Sequence, residues 1–253
     1  DGIRDFCLSR GLGDVYKRQI HMRPGDDRAI EEMFNSISSK YDFLNDIFSF
    51  GLHRFWKTKL LDILNPTFGE KWIDLCCGTG DMSMLLARYI KSSKNITGID
   101  SASQALLVAR ERSKQNYSSI EWINGDALET NLTSHQFDGL LMAYGLRNLS
   151  SPYEGLKEAF RILKPGGRAG ILDFRSFEGT SIQGLFQKIY LSCYVVPISS
   201  LFGLGKEYSY IKKSLVNFPS GEKQIHLALS AGFKKAKYQT LAMGQMGILL
   251  LES

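Results

Sequence analysis

The stretch "WIDLCCGTGD", Trp72 to Asp81, decides the fold, because a short apolar run ends there in a Gly-x-Gly turn. Such a run, bounded by turn residues, reads as a buried strand, "WIDLCC", and the helical pattern that follows begins at Met82. With no side chain on either glycine, the backbone here can approach a ligand closely. Cys76 and Cys77 raise the alternative of a thiol site. Neighbours in an extended strand point to opposite faces, which disfavours a mutual bridge and favours compact structural thiols.

Outward from this strand the pattern alternates. Helical periods fall at Met82 to Ile90, Ala102 to Lys114 and Pro152 to Leu163, and strand patterns at "NITGID", "IEWING", "FDGLLMAYG" and "RAGILDF", with "KPGG" as a turn. Alternation of this kind predicts an α/β fold with a parallel sheet covered on both faces. Ligands of such sheets bind outside the carboxyl ends of the strands, so the residues just after each strand are the candidates for chemistry.

The glycine loop alone is a weak signal. A dinucleotide fingerprint would place glycine at position 83, where Ser83 stands, and Asp81 puts a carboxylate where a pyrophosphate would sit. A hydride-transfer dehydrogenase is thereby disfavoured. A ligand with an amino acid end and a sulfonium cation suits the loop better: Asp74 faces the ammonium, while Gly78 and Gly80 admit the nucleoside and carboxylate portions. S-adenosylmethionine is such a ligand. Asp100, ending the second strand, is placed for two ribose hydroxyls, and Asp126 in "GDA" for the adenine amino group.

The 253 residues are 43% hydrophobic, enough for one main domain with additions. A net charge of +5, from 31 basic and 26 acidic residues, is too mild to imply nucleic acid. Four cysteines without a C-x-x-C pair and four scattered histidines argue against a zinc or disulfide framework and for a reducing, cytoplasmic setting. Five segments are expected. Residues 1–21 lack any regular period and resemble translated adaptor or vector sequence, so the natural chain is expected to start at Met22. Residues 22–68 form an amphipathic helical cap, 69–175 the cofactor-binding core, 176–219 a helical insertion and 220–253 a helix with two closing strands, "KKAKYQTL" and "MGILLLE". The insertion contains seventeen uncharged residues from Ile189 to Gly205, interrupted by Pro197, which suit a buried or surface-associating excursion better than a bilayer span.

"MFNSISSKYDFLND", "GLHRFWK", "DLCCGTGD", "AYGLRN" and "RILKPGG" together resemble the ubiquinone/menaquinone biosynthesis C-methyltransferase family, over roughly Met22 to Ser253. "YLSCYVVP", "EYSYIKKSLVNFPSG" and "MGQMGILLL" look like its cyanobacterial and plastid branch, which methylates demethylphylloquinone. The resemblance implies a class I methyltransferase fold, Rossmann-like, with seven strands and the last antiparallel. It carries cofactor contacts to Thr79, to Asp100 with Ser101, to Asp126 and Ala127, and to Ala143, a position often serine in the family. The substrate it implies is a prenylated or phytylated quinol.

Carbon methylation needs an electron-rich ring carbon, so the reduced quinol is the expected substrate. Arg147 is the expected stabiliser of its phenolate, with Asn148 orienting the hydroxyl. Tyr41, Asp42 and His53, in the cap, are candidates for positioning or proton relay. The insertion is expected to wall the tail and, with Lys206, Lys212 and Lys213, to touch the cytoplasmic face of a membrane. A homodimer is compatible with this reading. Rival readings are a methyltransferase of another lipid or metabolite, a demethylmenaquinol or ubiquinone-precursor enzyme, and a cofactor-binding assembly subunit without turnover.

Overall fold

The structure, a computed structural model, describes residues 31–33, 35, 46–177 and 181–253, the side chains at 206–208 and 212 excepted. The leader, the start at Met22, Tyr41, Asp42 and the side chains of Lys206 and Lys212 lie outside the described residues.

Helix α1 (Leu52–Leu64) leads into a sheet of seven strands: β1 (Trp72–Leu75), β2 (Ile96–Asp100), β3 (Glu121–Asn124), β4 (Phe137–Ala143), β5 (Leu163–Phe174), β6 (Lys235–Leu241) and β7 (Met246–Glu252). The order is β3-β2-β1-β4-β5-β7-β6, parallel throughout except for β7, which is antiparallel to both neighbours. Helices α2 (Asp81–Tyr89), α3 (Ser103–Ser113) and α4 (Pro152–Ile162) make the crossovers, and α8 (Gly221–Ser230) precedes β6. The seven strands and the antiparallel last one are as the sequence implied.

Period-two alternation builds the two layers. Ile73, Leu75, Leu140, Met142 and Ile171 join one apolar cluster with Leu156 and Ile162 of α4, whereas Trp72, Leu141 and Leu172 join another with Leu60 and Leu61 of α1 and Leu86 of α2. Each fully buried aliphatic side chain contributes roughly 1.5–3 kcal/mol relative to exposure. Local chemistry sets the boundaries. Ser151 caps α4 by accepting from Glu154 N, with Pro152 in the first turn, and α1 stops at Asn65, which takes the left-handed conformation ahead of Pro66.

Two expectations need correction. β1 ends at Leu75, and Cys76 lies beyond it at φ 57°, so the two cysteines occupy a turn rather than opposite strand faces. "KPGG" lies within β5: Phe137 pairs with Leu163 but Gly139 with Arg168, so residues 164–167 bulge out of the ladder, with Gly166 at φ 77°. The insertion is helical, as expected of the segment. It comprises α5 (Ile182–Tyr190), a π-helical turn (Leu191–Val195), α6 (Val196–Leu201) and α7 (Gly205–Asn217). Pro197 stands at the start of α6, where the right-handed backbone runs on unbroken from the π-helical turn, so its missing N–H falls where the helix has already departed from regular α pairing. Among the described residues no helix is long and apolar enough to cross a membrane.

Successive crossovers carry the chain from β1 outward to β3 and then back to β4, so the strand order reverses between β1 and β4. Ligands of open α/β sheets bind at that reversal.

Candidate active site

Both strands at the reversal end in strained backbone. Cys76 after β1 and Tyr144 after β4 have φ 57° and 64°, a region side-chain-bearing residues rarely occupy. They are packed together: a Cβ on Gly145 would come within 2.7 Å of the Cys76 Cβ. Burial and the surrounding carboxylates push both thiols, Cys76 and Cys77, well above the usual range, which removes them as nucleophiles and supports the structural reading.

On the β1 side the loop turns through left-handed glycines, Gly78 at φ 54° and Gly80 at φ 79°. Asp74 is buried; its Oδ2 accepts from Ser83 Oγ at 2.6 Å, and its Oδ1 has no hydrogen-bond partner. Burial pushes its carboxyl up to about 7, against the opposing Ser83 hydrogen bond and the charge of Lys57. A buried acceptor left open in this way fits the ammonium of an amino acid end.

Asp100 holds the loop: Oδ2 accepts from Gly78 N at 2.7 Å and Oδ1 from Ala102 N at 2.8 Å. Two of about four lone-pair sites are used, leaving capacity for the ribose hydroxyls. Burial pushes this carboxyl upward, with the two backbone donors opposing. Asp126 caps its own turn through Leu128 N at 2.8 Å and stays exposed beside buried Ala127. Ser101 is exposed, with its carbonyl bonded to Asn124 Nδ2 at 2.9 Å, and Ala143 closes β4 half-buried. Thr79 is buried, and Arg112 Nη1 donates to both its hydroxyl and its carbonyl at 3.1 Å.

Sequence reasoning missed the clamp on this loop. Buried Lys57 of α1 donates to Asp81 at 2.6 Å, and Arg112 of α3 lies 3.6 Å from the other oxygen. Burial pushes the Asp81 carboxyl up, but the two cations outweigh it and hold it below its ordinary value. Lys57 was legible inside "GLHRFWK" as a residue, but its partner was not.

On the β4 side a short turn, Leu146–Asn148, presents the two residues expected to meet the substrate. Both are buried. Arg147 Nη1 donates to Asp173 Oδ1 at 2.5 Å and to Tyr144 O at 2.9 Å, while Arg147 N donates to Asp173 Oδ2 at 3.1 Å. The guanidinium lies 5.2 Å from the Phe174 ring centre and 5.9 Å from that of Tyr144. Asn148 Nδ2 donates to Tyr144 O at 2.9 Å, and its buried Oδ1 has no partner among the described residues. Asp173, at the carboxyl end of β5, was also missed, although the strand-end rule applied to "ILDF" would have found it.

Arg147, Asn148 and His53 line one cavity of about 440 Å³, walled by Phe48, Trp56, Tyr144, Phe174, Tyr190 and Val195 among others. The cap and the insertion meet over it. The rings of Tyr190 and Tyr194 stack 5.4 Å apart, and Tyr194 stacks on Phe50 at 5.6 Å; both tyrosine hydroxyls donate to cap carbonyls, Tyr190 to Phe48 and Tyr194 to Ile47. His53 Nδ1 is 2.9 Å from Ser49 Oγ and 3.7 Å from Asp46, which Arg54 engages. Burial, aided by the charge of Lys57, holds the imidazole below its ordinary pKa. The two binding regions therefore adjoin, with α1 contributing His53 and Trp56 to the cavity and Lys57 to the glycine loop.

The ubiE/COQ5 methyltransferase family model matches residues 22–250. The proteins named 2-phytyl-1,4-naphtoquinone methyltransferase from Thermosynechococcus vestitus and Nostoc punctiforme are 42% and 39% identical over 223 and 224 residues, 88% of this chain and 98% and 97% of theirs. The chloroplastic 2-phytyl-1,4-beta-naphthoquinone methyltransferase of Arabidopsis thaliana is 37% identical over 238 residues, 92% of this chain and 90% of its own. A SAM-dependent methyltransferase structure from Aquifex aeolicus superposes with a TM-score of 0.57 at 16% identity, covering 78% of this chain and 88% of that one. Phosphoethanolamine N-methyltransferase 2 of Haemonchus contortus, solved with S-adenosyl-L-methionine, gives 0.61 at 14% identity, covering 78% of this chain and 52% of that one. These two share the fold. The chain thus belongs to the ubiE/COQ5 methyltransferase family and is a class I, S-adenosylmethionine-dependent methyltransferase.

Proposed function

We propose that the protein methylates a ring carbon of a reduced, prenylated naphthoquinone, 2-phytyl-1,4-naphthoquinol, yielding phylloquinol. The observation that carries the reduced state is the Asn148 side chain. Asn148 lines the cavity; its amide nitrogen is committed to Tyr144 O, and among the described residues its buried oxygen receives no donor. A quinol hydroxyl supplies a donor, whereas a quinone offers only acceptors. The printed names of the relatives support the ring system and the phytyl tail.

When bound, S-adenosylmethionine supplies an electrophilic methyl group. Asp74, Gly78, Thr79, Gly80, Asp100, Ser101, Asp126, Ala127 and Ala143 are the residues proposed to hold it, along the carboxyl ends of β1 to β4. On the other side, Asn148 accepts a hydrogen bond from the quinol hydroxyl, His53 takes its proton as the methyl group transfers, and Arg147 stabilises the negative charge that develops on the ring oxygen. Asp173 fixes the guanidinium from behind and so acts as a positioning residue. His53, kept neutral near pH 7 by burial and with Nδ1 engaged by Ser49, accepts that proton through Nε2 and returns it to the ring oxygen as the methylated carbon sheds its own proton to water, so that one proton is released per turnover. Tyr41 is proposed to position the hydroxyl from the cap. A substrate with such a tail resides in membrane, so the protein works peripherally at a membrane's cytoplasmic face.

Incubation with methyl-labelled S-adenosylmethionine and reduced demethylated quinones tests the reaction. Labelled phylloquinone is expected after reoxidation, with slower labelling of the menaquinone and ubiquinone precursors. Preference for either precursor would move the substrate to that pathway, and binding of the cofactor without any labelled quinone would favour a non-catalytic subunit.

A further inference from the structure

Helix α5 is turned inside out. Ile182, Leu185, Phe186 and Ile189 recur at the spacing of one helix face, yet they are 86%, 60%, 55% and 52% exposed. Gln187 points the other way and is buried, with Nε2 donating to Arg175 O at 3.1 Å. A helix covering a core does the reverse. On the cap, Phe50, Leu52 and Phe55 are also exposed, as is Met243 in the connection between β6 and β7. Phe50, Leu52, Phe186 and Met243 line the cavity as well, so its mouth is apolar and continuous with the outer surface.

The cavity is too small for the proposed substrate. A cavity of roughly 150 Å³ holds one six-carbon ring, so 440 Å³ accommodates about eighteen carbons. The bicyclic ring takes ten of them, which leaves about eight for a phytyl chain of twenty. Most of the tail lies beyond the mouth, where water would have to cover it at about 0.8 kcal/mol per methylene. Charge selects what covers it instead. Residues 179–206 contain no Asp or Glu, and Lys188 stands exposed on α5 within the apolar stripe.

We infer that the stripe on α5, with the exposed apolar residues of the cap, seats the cavity mouth on an anionic bilayer surface, and that the quinol enters ring first while the distal tail stays in lipid. This rests on the quinol reading above and adds the face and the direction of entry. Apolar side chains set into the acyl boundary, with lysine near the headgroups, are the usual terms of interfacial binding.

The test uses the full chain with vesicles of phosphatidylcholine and phosphatidylglycerol, comparing wild type with the combined substitution Ile182→Ser, Leu185→Ser, Ile189→Ser, none of which lines the cavity. Wild type is expected to co-sediment, and the variant to partition on the order of tenfold or more weakly. Both are expected to methylate a short-tailed reduced naphthoquinone in detergent at similar rates, while only wild type works well on the phytyl substrate embedded in vesicles. Equal sedimentation of the two, or none by wild type, would overturn the inference. So would wild-type self-association abolished by the substitutions, or a collapse of melting temperature, since either assigns the stripe to a protein contact. If no quinol is methylated but vesicle binding still depends on the stripe, the face stands and the proposed reaction fails.

Discussion

The carboxyl ends of β1 to β3 and those of β4 and β5, the proposed cofactor and substrate regions, are built by different means. The first region is assembled from short loops tied within themselves, Asp74 with Ser83, Asp100 with Ala102 and Asp126 with Leu128, and clamped from α1 and α3 by Lys57 and Arg112. Its functional atoms are carboxylates and backbone N–H groups. The second draws on residues 46–57, 144–148, 173–174, 186–211 and 242–246, and surrounds a buried ion pair with aromatic rings. The contrast fits a cofactor seat built from loops and charges beside a substrate pocket made where apolar segments distant in sequence close over one another.

The largest break in that comparison comes from Arg147→Ala. Turnover is expected to fall about 10²–10³-fold, as when a transition-state donor is removed, while S-adenosylmethionine affinity stays unchanged. The stranded Asp173 carboxylate costs ~3–5 kcal/mol of stability, read by denaturant unfolding. A parallel loss of cofactor affinity would show that the two regions are not separable.

His53→Gln comes next, with turnover reduced on the order of 10²-fold. Because burial lowers the folded-state pKa, the imidazole is neutral at pH 7 and charges only as pH falls below the ordinary histidine value. Wild-type activity is therefore expected to decline on that acid side, and the variant to lose this limb. Stability moves in the same direction, since the unfolded chain takes up the proton first.

Asp74→Asn should act on the other region, weakening cofactor binding by about 10–100-fold, or ~1.5–3 kcal/mol, with less effect at saturating cofactor. The folded-state pKa of about 7 is raised, so without ligand this carboxyl loses stability as pH climbs from the unfolded value toward 7. The bound ammonium favours the ionised form. Affinity is expected to fall about tenfold per pH unit below 7 and to level off above it, with proton release in titration calorimetry. Asp74→Asn should flatten that profile. Smallest is Tyr190→Phe, which deletes the hydroxyl bond to Phe48 O and should cost about 1 kcal/mol, a melting shift of roughly 2–4 °C.

The same contrast explains what the sequence made legible. The sheet and the acids after β1, β2 and β3 were readable because period-two burial and strand-end position are local properties. Arg147 and Asn148 emerged from "YGLRN", and one cavity is lined by both and by His53. Asp173 was legible by the same strand-end position in "ILDF", but its pairing with Arg147 was not. The partnership of Lys57 with Asp81 depends on how α1 packs across the sheet, which no spacing encodes. The apolar period of α5 marks a face without saying which way it points, and its exposure became visible only in three dimensions.

The central claim is that the cavity is built for a ring carrying hydroxyl donors. The direct measurement supplies 2-phytyl-1,4-naphthoquinone to the wild-type protein and S-adenosylmethionine, anaerobically with reductant and separately in its oxidised form. Methylated product is expected from the reduced ring alone, and Asn148→Asp or Asn148→Leu should lower its rate. Equal methylation of the oxidised ring would contradict the account.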